Sequence, residues 1–119
     1  METLLFIQTG MGVDVHGQDI NVAAERAVKN AIHYNSMPGI RQLLPEENID
    51  LMKVHVKFAI PADINQLDEQ AIQKLFPYGS VTVETMEGGM KTTSGIFLTD
   101  QQDNNDLMYI VNVAIEVGY

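Results

Sequence analysis

Apolar residues follow a helical spacing over one long segment near the start of the 119-residue chain. From Ile20 to Ile32 they recur every three or four residues, which is the spacing of one face of a helix. Asp19 stands immediately before this segment, where its carboxylate can accept hydrogen bonds from the free N–H groups of a first helical turn. The pattern predicts a helix that begins at Ile20, and the alanines on its apolar face predict close packing against a sheet.

Four other segments have the apolar patterns of β-strands. Residues 3–9 form a short apolar run that ends in a glycine, and residues 53–60 and 109–117 alternate with a period of two. Val81 and Val83 belong to a shorter alternating segment. The patterns therefore predict a strand in each of these four places.

The remaining segments predict shorter helices and turns. Apolar spacing and prolines predict a helical turn near residues 38–44 and a second helix over 67–75. The long stretch before the last strand is too long for a structureless loop in a compact domain. There we expect a turn at Gly88–Gly89, an extended arm over 92–98 and a polar turn over 100–106.

This order of elements predicts one α+β domain over residues 1–119. It is a two-layer sandwich of order β-α-β-α-β-β, with a mixed sheet and two main helices on one face. The opposite face of the sheet stays uncovered, and the last strand has apolar residues on both of its sides, such as Ile110 and Val111. Such a surface favours burial against further copies of the chain. The element order resembles the chorismate-mutase-like and YjgF-like trimers, which implies a homotrimer, or a multiple of one, with sites between subunits.

Charge and composition exclude several classes of partner. Seven basic residues against sixteen acidic ones give a formal charge of −9. Nucleic acid and anionic membrane surfaces would be repelled, so neither is expected as a partner. The chain has no cysteine, which excludes disulfides, thiolate metal sites and cysteine nucleophiles. Without an apolar run long enough to span a membrane or a recognisable signal peptide, we expect a cytoplasmic protein.

The segment Gly10–Asp19, "GMGVDVHGQD", concentrates the candidate chemistry. It lacks the third glycine of a dinucleotide-binding fingerprint, because Val15 stands there, and it lacks the lysine of a phosphate-binding loop. Gly10, Gly12 and Gly17 instead predict a sharp turn with positive φ before the helix. The backbone N–H groups of these glycines are candidates to bind an oxyanion near the helix N-terminus.

His16 and Asp14 are the candidate catalytic residues. A histidine in such a turn can act as a general acid or base, contact a ligand, or be purely structural. Asp14 is a candidate to orient His16, but it can equally accept the free N–H groups of the following helix. The two could share a metal ion with Asp19, but no familiar ligand spacing occurs, and no metal site is assigned.

The same residues carry a family resemblance. "GMGVDVHG" follows the pattern G-x-G-x-D-x-H-G and is similar to the signature of the Lin-type conserved hypothetical family, whose function is unassigned. The segments "FIQTG" and "AAERAVKNAIHYNSMPGI" and the closing strands resemble that family too. The resemblance implies that Gly10, Gly12, Asp14, His16 and Gly17 form one functional or fold-defining unit. It implies no reaction, and the cofactor stays unknown.

Two further candidates lie outside this segment. Lys57 shares a side of its strand with Lys53 and His55, where it could contact an anionic ligand or be a solvated charge. Ser94 could be a nucleophile activated by a lysine, as in the ring-opening amidohydrolases, if Lys57 rather than the nearby Lys91 reached it.

The sequence thus leaves open whether the protein is an enzyme. The first hypothesis is an enzyme that acts on a small polar or anionic metabolite at a subunit interface. The alternative is a non-catalytic ligand-binding or regulatory oligomer, and a third is a Ser/Lys amidohydrolase-like enzyme.

Overall fold

A five-stranded sheet carries one long helix on one of its faces. The computed structural model describes residues 1–119. In chain order the elements are β1 (Leu4–Asp14), α1 (Ile20–His33), α2 (Ile40–Leu43), β2 (Lys53–Ile60), α3 (Glu69–Gln73), β3 (Ser80–Glu87), β4 (Met90–Thr93) and β5 (Leu107–Gly118). The longest helix has 14 residues, and none has the length and apolar character needed to cross a membrane.

The last strand, β5, organises the sheet. It pairs antiparallel with β1 along one edge, and with β2 and then β4 along the other edge. β3 joins the outside of β2 in parallel, so the main order is β1-β5-β2-β3 and the sheet is mixed. Because β5 runs through the centre, it needs apolar side chains facing the helices, and Val111, Val113, Ile115 and Val117 are all buried there.

The core lies between the sheet and α1. The inward residues of β2, which include Val56 and Phe58, are buried, and its alternate residues are not. From the other side α1 contributes an alanine-rich stripe whose members are fully buried. The predicted two-layer α+β sandwich is therefore confirmed, with the helices on one face.

Several predicted elements are confirmed almost to the residue. α1 begins at Ile20, and the side chain of its N-cap, Asp19, accepts a hydrogen bond from the N–H of Asn21. The alternating segments become β2, β3 and β5, and α2 falls within the helical turn predicted near 38–44.

Three predictions of element length were wrong. The first strand extends to Asp14 instead of ending at residue 9. The second helix is α3, only five residues long, because Asp68 caps it and leaves Leu67 extended before it. The arm predicted over 92–98 is a strand only to Thr93, because Gly95 has a φ of +80° and turns the chain away.

The sheet face opposite α1 is open, as the sequence predicted. We call this surface the open face. Register places Val13, Ile110 and Met90 in one row across it, and Met11, Asn112, Ala59 and Met86 in the next. Ile7, Met11, Met86 and Met90 are exposed. The half of the open face nearest the end of β1 is therefore apolar, and the half towards the start of β2 carries charged residues.

Candidate functional site

The connection between β1 and α1 is a tight turn of five residues, 15–19. Gly17 has a φ of +98° and Gln18 a φ of +49°, both in the left-handed region. Glycine adopts this conformation without steric cost, whereas glutamine has a steric cost there because of its Cβ. The predicted glycine turn is therefore present at Gly17.

Gly10 and Gly12 have a different role from the predicted one. Both lie inside β1 with ordinary strand conformation, in register with Val113 and Val111, so the prediction of positive φ at them was wrong. A Cβ on Gly12 would overlap the carbonyl oxygen of Ala23, and one on Gly10 would lie 2.7 Å from that of Ala27. These two glycines let α1 pack directly on the backbone of β1.

A buried carboxylate, Asp103, holds the turn in place. It lies in the segment Ser94–Asp106 between β4 and β5, which we call the 94–106 loop. Its Oδ1 accepts hydrogen bonds from the N–H of Gly17 (2.6 Å) and from Nε2 of Gln18 (3.1 Å). Its Oδ2 is 2.9 Å from the N–H of Leu98 and 2.7 Å from Nδ1 of His16. Four donors thus converge on one side chain.

These contacts keep Asp103 ionised. Burial opposes ionisation of the carboxyl and by itself raises the pKa. The hydrogen bonds from the N–H groups of Leu98 and Gly17, and from the side chains of His16 and Gln18, stabilise the carboxylate and outweigh that effect. Together they lower the pKa of Asp103 to about 2. At neutral pH the group is a fixed negative charge that can only accept hydrogen bonds.

His16 is oriented by that charge. Because Asp103 can only accept, Nδ1 of His16 must carry the hydrogen of their 2.7 Å contact. In the neutral ring the lone pair is then on Nε2, which has no partner in the chain. The imidazole side chain is 22% exposed and that of Asp103 only 1% exposed. The arrangement is a carboxylate–histidine pair with one accessible basic nitrogen.

Asp14 does not form the pair with His16 that the sequence suggested. Its buried carboxylate accepts a hydrogen bond from the N–H of Asp19 at 2.8 Å and lies 3.7 Å from the Nη1 atom of Arg26. The alternative hypothesis, in which Asp14 satisfies an N–H group at the start of the helix, describes its contacts. Nowhere in the structure do three His, Asp or Glu side chains lie together in a way that could hold a metal ion.

Lys57 lies on the open face, in its charged half. Its Nζ is 3.3 Å from Glu116, while His55 on the same strand contacts Thr82 at 2.6 Å and Glu84 at 3.3 Å. An open cavity of about 660 Å³ adjoins this cluster and is lined by Lys53, His55 and Glu116 among others. Lys57 therefore forms an ion pair with the carboxylate of Glu116.

Ser94 has a structural environment within the 94–106 loop. Its hydroxyl oxygen lies within hydrogen-bond distance of the carbonyl oxygens of Ile96 (2.8 Å) and Asp106 (3.0 Å), which share its single hydrogen as acceptors. Lys57 is opposite Ala114 on β5, eight residues beyond Asp106, or roughly 25 Å along the strand. One chain alone does not bring Lys57 to Ser94.

Sequence reasoning missed Asp103 and Gln18. Asp103 belongs to a stretch, "DQQDNND", that was interpreted only as a polar turn, and nothing in its letters separates Asp103 from Asp100 or Asp106. Gln18 bonds Asp103, the carbonyl oxygen of Leu107 (2.8 Å) and the N–H of Asn104 (2.8 Å).

Comparisons with known proteins show similarity over almost the whole chain. Residues 4–117 match the model of Lin0512_fam, described as a conserved hypothetical protein. A crystal structure from Nostoc punctiforme, described as an FtsZ-like protein of unknown function, is similar with a TM-score of 0.85 and 34% sequence identity. The similarity covers 97% of this chain and 93% of that one. No curated protein matches the sequence.

Proposed function

Because the chain belongs to the conserved hypothetical family Lin0512_fam, we propose its function from the site itself. His16 is a general acid or base that acts on a small polar or anionic molecule bound beside it. The supporting observation is the contact between Nδ1 of His16 and the buried carboxylate of Asp103, at 2.7 Å. It fixes the ring and leaves Nε2 free to exchange a proton with a ligand.

Asp103 replaces Asp14 as the residue that positions the histidine. An ionised partner at Nδ1 stabilises the imidazolium that forms when Nε2 takes a proton, and thus favours proton abstraction. Asp14 acts one step further away, by holding the start of α1 through Asp19. The N–H of Gly17 is already donated to Asp103, so a ligand oxyanion would need donors from elsewhere.

We propose that a second copy of the chain supplies the missing side of the site. His16 lines none of the chain's main cavities, which lie elsewhere on the molecule. The apolar half of the open face lies at the same end of the sheet, because Val13 of β1 is aligned with Ile110 and Met90. Association through this surface, as a trimer or a multiple of one, would bring partner residues near His16.

One competing function uses the same hydrogen bonds. If a ligand binds beside His16 without being transformed, the protein is a non-catalytic ligand-binding or regulatory oligomer. The glycines do not support a nucleotide site. The backbone of α1 packs directly against Gly10 and Gly12, so these glycines do not form a phosphate-binding loop.

The test begins with ligand identification and then separates binding from turnover. Saturation-transfer NMR on the wild-type protein would screen a panel of small carboxylic acids, sugar acids and phosphate esters, and the same spectra would report product formation. His16→Asn keeps a donor for Asp103 at the place of Nδ1 but removes the basic nitrogen Nε2. We expect it to bind the hit normally and to lose turnover by about 10²-fold or more. Binding without any turnover by the wild type would establish the regulatory alternative, and turnover unchanged in His16→Asn would refute the role of His16.

A further inference from the structure

A second histidine, His55, lies on the charged half of the open face, far from His16. Asp14, which ends β1 just before His16, is opposite Tyr109 on β5, whereas His55 is opposite Glu116. These two β5 residues are seven positions apart, or roughly 23 Å along the strand. Association through the apolar half of the open face leaves the surroundings of His55 accessible. The two histidines therefore belong to separate parts of the molecule.

His55 connects a hydroxyl group to a carboxylate. Its Nδ1 is 2.6 Å from Oγ1 of Thr82, and its Nε2 is 3.3 Å from Oε2 of Glu84. Because a carboxylate only accepts hydrogen bonds, Nε2 carries the hydrogen of that contact, and in the neutral ring the lone pair is on Nδ1. The Thr82 hydroxyl is then the donor to Nδ1. A hydroxyl bonded to a basic nitrogen, in a ring that a third group orients, is the arrangement that activates hydroxyl nucleophiles.

Register holds the three side chains together. Thr82 is directly opposite His55 on the neighbouring strand β3, and Glu84 is two residues further along β3, on the same side of the sheet. The imidazole side chain is 32% exposed and that of Glu84 52% exposed. The hydroxyl and the imidazole are therefore positioned by regular strand pairing and remain within reach of a molecule from solution.

The cavity beside Thr82 has room for a small substrate. Its volume of about 660 Å³ lies within the range of about 300–1,000 Å³ that is typical of ligand sites. Its charged side chains are those of Lys53, Glu2 and Glu116, so a negatively charged molecule gains no net attraction there. Glu116 is already paired with Lys57, whereas Lys53 takes part in none of the chain's ion pairs. Lys53 is thus a free cation beside the hydroxyl.

We propose that Thr82, His55 and Glu84 form a second reactive site, in which the Thr82 hydroxyl is the nucleophile that cleaves small uncharged esters. Oγ1 of Thr82 forms a bond to the ester carbonyl carbon, and its proton passes to Nδ1 of His55. The bond to the alcohol oxygen then breaks, and the alcohol leaves with that proton. Water attacks the acyl group on Thr82, and its proton passes through His55 back to Oγ1 as the carboxylic acid departs.

Two further residues assist this reaction from fixed positions. Lys53 is the cation that can stabilise negative charge on the carbonyl oxygen as the bond to Thr82 forms. Glu84 is a positioning residue, because it touches only the imidazole and keeps the lone pair on the nitrogen that faces the hydroxyl.

A covalent trap tests the nucleophile in the wild-type chain. Diethyl p-nitrophenyl phosphate reacts with an activated hydroxyl, which forms an oxygen–phosphorus bond and releases p-nitrophenolate. We expect tandem mass spectrometry of the digested protein to find the diethylphosphoryl group on Thr82. The proposal fails if the chain is not labelled or if the label is on another residue, and this criterion needs no variant.

Hydrolysis of p-nitrophenyl acetate by folded variants completes the experiment. Thr82→Val keeps the shape of the side chain and should lower the rate by about tenfold or more, whereas Thr82→Ser keeps the hydroxyl and should retain activity. His55→Asn keeps an acceptor for the hydroxyl without a basic nitrogen, and should lower the rate as much as Thr82→Val does. Glu84→Gln should lower kcat by about three- to tenfold at unchanged KM, because a neutral amide holds the imidazole less strongly.

The control is the same substitution on the other side of β3. Thr85 is in register with the buried Phe58 and faces the helices, so Thr85→Val should hydrolyse the ester at the wild-type rate. Circular dichroism verifies that each variant is folded. A Thr82→Val protein as active as the wild type would overturn the proposal, and so would an equal loss in Thr82→Val and Thr85→Val.

Discussion

The Nδ1 atom of His16 lies 2.7 Å from Oδ2 of Asp103, although 87 positions separate the two residues in the sequence. His16 belongs to the turn that leads into α1, and Asp103 to the 94–106 loop that leads into β5. The contact therefore joins two connections at one end of the sheet. Because Asp103 also accepts from Gly17, Gln18 and Leu98, the position of the imidazole depends on the loop as a whole.

Acid should loosen the contact between the turn and the loop. The pKa of Asp103 is lowered from 3.8 to about 2 in the folded protein, so the unfolded chain binds a proton at higher pH than the folded one. The stability that this ionisation contributes is complete above about pH 4 and is lost as the pH falls towards 2. Urea unfolding of wild type and Asp103→Asn as a function of pH measures it.

The difference between those two proteins is the informative quantity. We expect Asp103→Asn to be less stable at neutral pH, because an amide accepts these hydrogen bonds less strongly than a carboxylate does. The difference should shrink between about pH 4 and pH 2, as the wild type itself becomes protonated. A difference that is constant over this range would show that the carboxylate is not held ionised by its four donors.

Gly12→Ala should destabilise the protein strongly. The added methyl group would overlap the backbone of Ala23 and Ala27 in α1, and backbone atoms can move aside only if the helix moves. We expect a loss of about 3 kcal/mol or more in the free energy of unfolding, at the upper end of the range for overpacked cores. Gly39→Ala is the control: its φ is −91° and no atom lies within 4 Å of the added Cβ, so it should be neutral or slightly stabilising. Equal stability of the two variants would contradict the packing role of Gly12.

The sequence predicted the fold better than the site because the two depend on different kinds of contact. The helix from Ile20 and the strand from Lys53 bury one side of a regular element, and this leaves a periodic pattern in the letters. The prediction of a turn at Gly10 and Gly12 was wrong because the sequence does not distinguish a glycine required by a closely packed helix from a glycine required by a turn. Only the packing of Ala23 and Ala27 over them separates the two causes.

The partner of His16 had no comparable signal. Its hydrogen bond to Asp103 depends on how the 94–106 loop folds back, and that loop contains no periodic pattern. Asp14 was the nearer carboxylate in sequence, yet its strand directs it towards Asp19 and Arg26. Contacts across long loops of this kind are set by tertiary structure, so the location of the candidate site could be predicted and its hydrogen bonds could not.

Charge on the open face should disrupt self-association. Met11 and Met90 are both exposed on its apolar half, in neighbouring rows. If this surface joins copies of the chain, Met11→Glu with Met90→Glu would bury unpaired carboxylates in the contact and dissociate the oligomer. Light scattering at micromolar concentration should show a trimer, or a multiple of one, for the wild type and a monomer for the double variant.

The control for that experiment is another exposed apolar residue. Tyr34 lies at the end of α1, away from the open face, and is 83% exposed. Tyr34→Glu adds one negative charge, where the double variant adds two, and should leave the oligomer intact. A wild-type protein that is monomeric at micromolar concentration would contradict the proposed association. A double variant with the same oligomer mass as the wild type would show that the copies associate through another surface.

At position 18 a glycine variant should be more stable than an alanine variant, which is the reverse of the order found inside helices. Its φ of +49° costs any residue with a Cβ about 1 kcal/mol, and its side chain offsets this with hydrogen bonds to Asp103, Leu107 and Asn104. Gln18→Ala and Gln18→Gly lose the same three bonds, but only glycine is released from the strain. Gln18→Gly should therefore unfold at higher denaturant concentration than Gln18→Ala, with a difference of about 1 kcal/mol in the free energy of unfolding.

The control is the same pair of substitutions at Glu25, an exposed position inside α1. There the glycine variant should be less stable than the alanine variant by about 1 kcal/mol. The same order at both positions would mean that the turn does not hold Gln18 in the left-handed conformation.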